Sequence, residues 1–211
     1  MSIEKLKEED FIRAAEKLGV EAAAVKAVQE VETGGRGGFL EDGRPRILFE
    51  GHVFWKQLTC LPFAVNPEQY RPGNEDILYP KWERNHYKGG TKEYERLEKA
   101  LALAKKIGKT PEEMSAVCRA AYRSASYGMF QIMGTNAEVC GYKNIDEFVE
   151  AMNRSEGDHL DAFAGFILKN NLAVALRAKD WAKFARGYNG KGYAANQYDV
   201  KMQKAYEKYV N

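Results

Sequence analysis

The sequence predicts a mainly α-helical domain of the α+β class with one small β element. Apolar residues recur at helical spacing along most of the 211 residues, and Gly, Pro and Asn mark the breaks between these stretches. Residues 34–50 depart from this pattern: they carry five glycines and the short apolar run Ile47-Leu48-Phe49, which indicates a hairpin or irregular sheet. Neither an internal repeat nor a linker divides the chain, so we expect residues 1–211 to form one domain.

Helix start and stop signals place the first elements. The first helix ends at Gly19, and a second runs from about Glu21 to Glu32, just before a pair of glycines. After the β element, a short helix begins near Glu50 or Gly51. Each of these segments presents apolar residues on one face, so each is expected to pack against a common core.

The rest of the chain divides into one long loop and a series of helices. Residues 61–90 hold most of the prolines and several aromatic residues, and a loop of this length is either functional or packed across a surface. One helix begins at Thr91 and another at the capping box Thr110-Pro111-Glu112-Glu113. Further helices are expected at residues 145–153, 157–169, 171–178 and about 180–188, and within residues 194–209.

Composition excludes several classes of function. The chain has 32 Lys and Arg against 30 Asp and Glu, and a net charge of +2 does not indicate a nucleic-acid partner. No apolar run approaches the roughly 20 residues of a membrane span, and the first residues lack the apolar segment of a signal peptide. The three cysteines, Cys60, Cys118 and Cys140, form no disulfide framework, which is typical of synthesis in a reducing cytoplasm.

Glu32 is the first candidate catalytic residue. It follows Val25 and Val28 at helical spacing and so shares the apolar face of the second helix, whereas Glu30 lies on the solvated side. Desolvation raises the pKa of a carboxyl group, and the negative end of the helix dipole acts in the same direction. A carboxyl group that stays protonated near neutral pH can serve as a general acid. A frayed helix end would instead leave Glu32 in water.

Glu50 is the second candidate. It follows an apolar triplet and precedes Gly51, so it stands where one element ends and its side chain can project into a cleft. Two carboxyl groups across a cleft are the usual means of breaking a glycosidic bond: one protonates the leaving oxygen, and the other handles charge or water. The alternative is a glutamate that stabilises the N-terminus of the following helix.

Two glycine-flanked segments, residues 126–134 and 185–190, each present an aromatic ring together with an amide side chain. Aromatic faces cover the C–H side of a sugar, and amides bond its hydroxyl and acetamido groups. The side chains concerned are Tyr127, Gln131, Tyr188 and Asn189. Tyr and Asn beside glycine also occur in ordinary turns, so neither segment alone indicates a sugar site.

The order of these segments resembles that of the lysozyme superfamily, in particular goose-type lysozymes and lytic transglycosylases. The resemblance rests on Val31-Glu32-Thr33-Gly34-Gly35, then SYGMFQIMG at 126–134, then ARGYNG at 185–190. A closer resemblance is to the N-acetylmuramidase family found in phage endolysins. It rests on PRILFEGHVF at 45–54, YPKW at 79–82, YKGG at 87–90 and SASYG at 124–128.

The resemblance implies a lysozyme-like fold, with a helical bundle and a small hairpin or sheet beside the catalytic cleft. It implies hydrolysis of peptidoglycan between N-acetylmuramic acid and N-acetylglucosamine, with Glu32 and Glu50 as essential carboxylates and either one as the acid. Tyr127, Gln131, Tyr188 and Asn189 would hold the sugars, and His52 would lie at the cleft. No cofactor or metal, no nucleic acid and no stable membrane association are expected.

The same resemblance implies a monomeric catalytic domain without a separate wall-binding module, and a phage endolysin that lyses the host. Such an enzyme would be made in the host cytoplasm without a signal peptide and would act on the wall after release. Transglycosylases usually have Ser after the catalytic Glu, where this chain has Thr33, which keeps the hydroxyl.

Three alternatives remain at the level of sequence. A lytic transglycosylase would give 1,6-anhydro products, and a binding module would hold peptidoglycan without cutting it. A metal enzyme would use His52, His86 and His159, but their spacing matches no clustered ligand pattern.

Overall fold

The computed structural model describes residues 4–210, apart from the side chain of Lys191. It confirms a mainly helical chain with a small antiparallel sheet. Helix α1 (Glu8–Leu18) ends at Gly19 in the left-handed conformation, and helix α2 (Ala22–Thr33) ends at Gly34 in the same way, as the glycines predict.

The middle of the chain follows the sequence prediction with one additional break. Its elements are strand β1 (Ile47–Phe49) and helices α3 (Gly51–Thr59), α4 (Lys92–Ala102), α5 (Ala104–Ile107) and α6 (Pro111–Arg123). The hydroxyl oxygen of Thr110 accepts a hydrogen bond from the Glu113 amide at 3.2 Å, which confirms the predicted cap of α6. The helix that begins after Thr91 divides at Leu103, although its apolar face continues across the break.

The sheet pairs segments that are far apart in sequence. Its order is β1, β2 (Ala125–Tyr127), β3 (Ile132–Met133), with Phe49 opposite Ala125 and Ser126 opposite Met133. Residues 34–50 form an irregular turn with an isolated bridge between Phe39 and Pro45 and hydrogen bonds from the Leu40 and Arg46 amides to the carbonyl oxygens of Arg44 and Gly38. The predicted apolar run is strand β1, which pairs with β2. Strands β2 and β3 lie in the glycine-flanked segment 126–134, where long-range pairing leaves no local signal in the sequence.

The C-terminal helices enclose the core. They are α7 (Ile145–Arg154), α8 (Glu156–Lys169), α9 (Ala173–Arg177), α10 (Trp181–Asn189) and α11 (Tyr198–Val210). Helix α8 is buried along most of its length, and α11 packs along α2. Short 3₁₀ turns occupy Pro67–Tyr70, Arg84–His86, Gly134–Asn136 and Lys191–Asn196. No helix among residues 4–210 combines the length and the apolarity that crossing a bilayer requires.

A buried ion pair on α4 joins the long loop to the sheet. The side chains of Glu93 and Arg96 are 0% exposed, and they contact each other at 2.7 Å. The Glu93 carboxylate accepts hydrogen bonds from the amides of Phe49, Lys88 and Gly89, at 3.1, 2.7 and 2.9 Å. Desolvation acts to raise the pKa of Glu93, but these backbone donors and Arg96 together hold it below its usual value.

Arg96 bonds the other side of the same junction. Its guanidinium donates to the carbonyl oxygen of Phe49 at 2.7 Å and to that of Asp76 at 2.8 Å. The loop predicted at residues 61–90 is thereby packed across the surface, and its residues Ile77, Leu78 and Tyr79 are fully buried.

Glu93→Gln is expected to lower the free energy of unfolding by about 3–5 kcal/mol, because it leaves the Arg96 charge buried without its partner. The matched control is Glu98→Gln on the same helix, whose exposed carboxylate lies 3.8 Å from Arg44 and whose loss should cost under about 1 kcal/mol. Urea unfolding of both variants checks the difference, and equal destabilisation by the two would contradict it.

Candidate active site

A cavity of about 230 Å³ opens between the end of α2, strand β1 and the turn from β2 to β3. Of the residues predicted for the site, Glu32 and Gln131 line it directly. Arg36, Arg46 and Leu48 line it as well, from the loop after α2 and from β1. The end of the second helix and the glycine-flanked turn, which were recognised separately in the sequence, therefore form one cleft.

Glu32 lies in the last turn of α2, on the face that the spacing of apolar residues predicts. Its carboxyl group is largely buried, and the Asn189 side chain donates a hydrogen bond to its Oε1 at 2.9 Å. Burial raises the pKa of Glu32 above its usual value, while the hydrogen bond from Asn189 lowers it by less. The net environment favours the protonated carboxyl group.

Tyr188 and Asn189 come to Glu32 from the end of α10. The Tyr188 ring packs edge-on against Phe163 at 5.2 Å and stacks parallel to Phe184 at 5.9 Å between centroids. Burial raises the pKa of Tyr188, and the negative charge of Glu32 raises it further, which places the phenol in the electrostatic neighbourhood of the carboxyl group. The Tyr188 ring is thus held among core phenylalanines, and it is not one of the residues that line the cavity of Glu32.

Glu50 lies at the end of β1, on the same side as Leu48. Its backbone is still extended (φ −105°, ψ 92°), and residues two apart in an extended chain face the same way. The Tyr87 hydroxyl donates to the Glu50 carboxylate, with oxygen distances of 2.8 and 3.0 Å, and accepts a hydrogen bond from the Trp82 indole at 2.8 Å. Burial and the charge of Glu50 raise the pKa of Tyr87 to about 12, so the phenol keeps its proton.

His52 lies beside Glu50 but is not aligned to bond it. Its Nδ1 is 3.3 Å from the carboxylate, yet that nitrogen is buried without a hydrogen-bond partner among the described residues. The ring faces Tyr79 at 6.2 Å between centroids, and His86 stacks on the same tyrosine at 4.2 Å.

Gln131 holds the turn at the cleft floor. Its backbone is left-handed (φ 50°), and its amide donates to the carbonyl oxygens of Gly128 at 2.8 Å and Arg46 at 3.2 Å. Its Oε1 accepts a hydrogen bond from the Ser126 hydroxyl at 3.0 Å. The side chain is exposed to the cleft, but both amide hydrogens are already bonded within the protein.

Tyr127 lies in the core, not in the cleft. It is 2% exposed, its hydroxyl donates to the carbonyl oxygen of Tyr122 at 2.9 Å, and its ring packs edge-on against Phe148. Successive residues of a strand face opposite sides, so Ser126 faces Gln131 while Tyr127 points inward. The predicted sugar contact of Tyr127 is therefore not supported, because its side chain is buried away from the cavity.

Several residues of the site carry no separate sequence signal. Tyr87 and Trp82 lie in the long loop, and only their place in the YKGG and YPKW motifs marks them. Trp82 is 59% exposed, which is unusual for an indole, and its N–H is fixed by Tyr87.

His159 supports the cleft floor from beneath. Its Nε2 donates to the carbonyl oxygen of Met152 at 2.8 Å, so its Nδ1 is free to accept from the Met129 amide at 3.3 Å. A side chain at Gly128, whose φ is +71°, would contact this imidazole at 2.9 Å. Burial lowers the pKa of His159 and keeps the ring neutral. His52 and His86 both face Tyr79, whereas His159 lies apart beneath the cleft floor, and no group of three metal-ligating side chains occurs among the residues described.

Comparisons with known proteins agree on one family. Residues 21–210 match the family model for Muramidase, described as N-acetylmuramidase. The chain is similar to the crystal structure of a Burkholderia AP3 phage endolysin, with 37% identity over all of this chain and 73% of that one, and a TM-score of 0.83. No curated protein matches significantly.

The neutral His159 makes stability depend on pH. The unfolded chain binds a proton near pH 6.5 and the folded chain binds it only at lower pH, so this contribution is complete above pH 6.5 and is lost as the pH falls. We expect a slope of at most about 1.4 kcal/mol per pH unit from this residue, measured by urea unfolding between pH 5 and 8. His159→Gln should be less stable at pH 8 but less sensitive to acid, and identical slopes in the two proteins would contradict this role.

Proposed function

The chain belongs to the N-acetylmuramidase family, and from this premise we propose how its cleft cuts peptidoglycan. The enzyme is a glycoside hydrolase that degrades peptidoglycan. In the proposed mechanism, it hydrolyses the bond between N-acetylmuramic acid and N-acetylglucosamine, with Glu32 as the general acid and Glu50 as its ionised partner. The observation that carries this proposal is the different partner of each carboxyl group: burial raises the pKa of Glu32 beside the Asn189 amide, whereas both oxygens of Glu50 lie within hydrogen-bond distance of the Tyr87 hydroxyl.

Glu32 has the properties of the acid. Burial favours its protonated form, as protonation of a leaving oxygen requires. Because Asn189 donates to Oε1, that atom serves as the carbonyl oxygen of the neutral acid, and the proton is left on Oε2. Asn189 is therefore a positioning residue that fixes which oxygen carries the catalytic proton.

Glu50 has the properties of the ionised partner. The indole of Trp82 is a donor only, so the Tyr87 oxygen accepts from it and the phenolic hydrogen is directed to Glu50. A carboxylate that accepts such a hydrogen bond can face the positive charge that develops on the sugar ring, and water completes the hydrolysis. This arrangement supports Glu32, and not Glu50, as the acid.

The remaining predicted contacts divide by what their side chains can reach. Gln131 is exposed in the cavity of Glu32, and its Oε1 can accept a further hydrogen bond from a sugar hydroxyl. Tyr188 is a fixed aromatic ring that directly precedes Asn189, the residue that bonds Glu32, and His52 lies against Glu50. We propose that Gln131, Tyr188, His52 and Asn189 contact the sugars on either side of the scissile bond.

We propose further that the protein is a phage endolysin, as the similarity to the Burkholderia AP3 phage endolysin suggests. In this proposal, it is made as a monomer in the host cytoplasm and reaches the peptidoglycan after release. Its three cysteines are free thiols, which agrees with synthesis in a reducing compartment.

Mass spectrometry of the muropeptides released by the pure protein tests the reaction. Hydrolysis by water leaves a reducing-end muramic acid, and this is the product we expect. The 1,6-anhydro product of a lytic transglycosylase would contradict the role of water, and release of no fragment would contradict the proposed function.

Glu32→Gln and Glu50→Gln are each expected to lower kcat on purified peptidoglycan by at least 100-fold, because one removes the proton donor and the other removes the ionised carboxylate. The matched control is Glu30→Gln, two residues from Glu32 on the solvated side of α2, where the carboxylate bonds Lys208 and Tyr209. Near-wild-type turnover in either active-site variant would remove that residue from the mechanism.

Asn189→Leu is expected to move the alkaline limb of the kcat–pH profile to higher pH. The Asn189 hydrogen bond lowers the pKa of Glu32, so its removal raises that pKa, and the acid keeps its proton to higher pH. The measurement is kcat against pH on solubilised glycan fragments. A limb that stays in place or moves to lower pH would show that titration of Glu32 does not set it.

A further inference from the structure

Two arginines, Arg36 and Arg46, line the cavity that contains Glu32. Both are exposed, and both are anchored on the same loop: the Nε of Arg36 donates to the Thr33 carbonyl oxygen at 3.2 Å, and the Nε of Arg46 donates to that of Gly37 at 3.0 Å. The anchored Nε fixes each guanidinium plane, while its two terminal nitrogens remain available to a ligand.

These two guanidinium groups have no acidic partner among residues 4–210. In the same protein, Arg44 bonds Asp42, Arg96 bonds Glu93 and Arg154 bonds Asp158. Burial raises the pKa of Glu32 in the same cavity. The cavity therefore holds two cations without an acidic partner beside a carboxyl group whose protonated form burial favours.

We propose that Arg36 and Arg46 bind the carboxylates of the peptide stems that peptidoglycan carries on N-acetylmuramic acid. The inference rests on the proposed function, because it places the muramic acid next to Glu32. A guanidinium presents paired N–H donors that match a carboxylate. Two guanidinium groups on one loop can therefore bind an anionic peptide stem that is attached to the sugar at the scissile bond. The pair thus makes a glycan with anionic stems a better substrate than the same glycan with neutral stems.

The test compares native peptidoglycan with peptidoglycan whose stem carboxylates are converted to amides by carbodiimide and ammonia. The glycan and the lactyl amide are the same in both. We expect wild-type kcat/KM to fall about tenfold on the neutralised substrate. Arg36→Gln/Arg46→Gln should show that same loss on native substrate, mainly through KM, and no further loss on the neutralised one. The kcat/KM of Arg36→Lys/Arg46→Lys on native substrate should lie between those of the wild type and the glutamine double variant. Lysine keeps the positive charge but lacks the paired N–H donors of a guanidinium.

The charge-matched control is Lys105→Gln/Lys106→Gln, which removes two exposed cations from α5 and should behave as wild type on both substrates. The proposal would be overturned if Arg36→Gln/Arg46→Gln lost kcat/KM equally on both substrates, or if it lost none on the native substrate.

A second measurement separates the proposed arginine site from the proposed catalytic function. In the Glu32→Gln background, co-sedimentation should show about tenfold weaker binding to neutralised than to native peptidoglycan, and the added arginine substitutions should abolish the difference. Absence of cleavage by the wild type together with this binding difference would contradict the proposed function and still support the arginine site.

Discussion

The ion pair between Glu93 and Arg96 is the constraint on which the active site depends. It bonds both polar groups of Phe49, the amide through Glu93 and the carbonyl through Arg96. The next residue is Glu50, whose own amide donates to the Ser124 carbonyl oxygen at 2.8 Å. The main chain on the N-terminal side of this carboxylate is therefore fixed by α4 and by the residue before β2, not by local turn chemistry.

The same pair determines where the long loop lies. Arg96 bonds the carbonyl of Asp76, Glu93 bonds the amides that follow Tyr87, and the Tyr79 hydroxyl accepts from the Gly51 amide at 3.2 Å. A side chain at Gly51 would meet the Tyr79 ring at 2.3 Å, so only glycine allows this approach. These bonds hold the segment that carries Tyr87, whose hydroxyl donates to Glu50 and accepts from the Trp82 indole. A charged pair buried in α4 thus positions the donor at this carboxylate.

Sequence predicts one half of the site better than the other for a physical reason. The burial of Glu32 follows from helical spacing within α2, which is a local property, and the left-handed Gly34 that ends the helix is local as well. The position of Glu50 depends on β1 pairing with a strand almost 80 residues away and on a loop whose path is set by Glu93. The burial of Tyr127 could not be predicted for the same reason, because the face of a strand on which a residue lies is known only once the partner strand is known.

The distribution of charge explains how a nearly neutral protein can act on an anionic polymer. A net charge of +2 gives little long-range attraction, yet many acidic residues are paired with cations away from the cleft, as Glu30 is with Lys208 and Glu93 is with Arg96. Arg36 and Arg46 have no acidic partner among the described residues, so two positive charges lie at the cavity of Glu32 even though the sum over the chain is close to zero. In the proposed arginine site, an anionic stem is attracted by charges at short range, and such attraction depends little on the net charge of the chain.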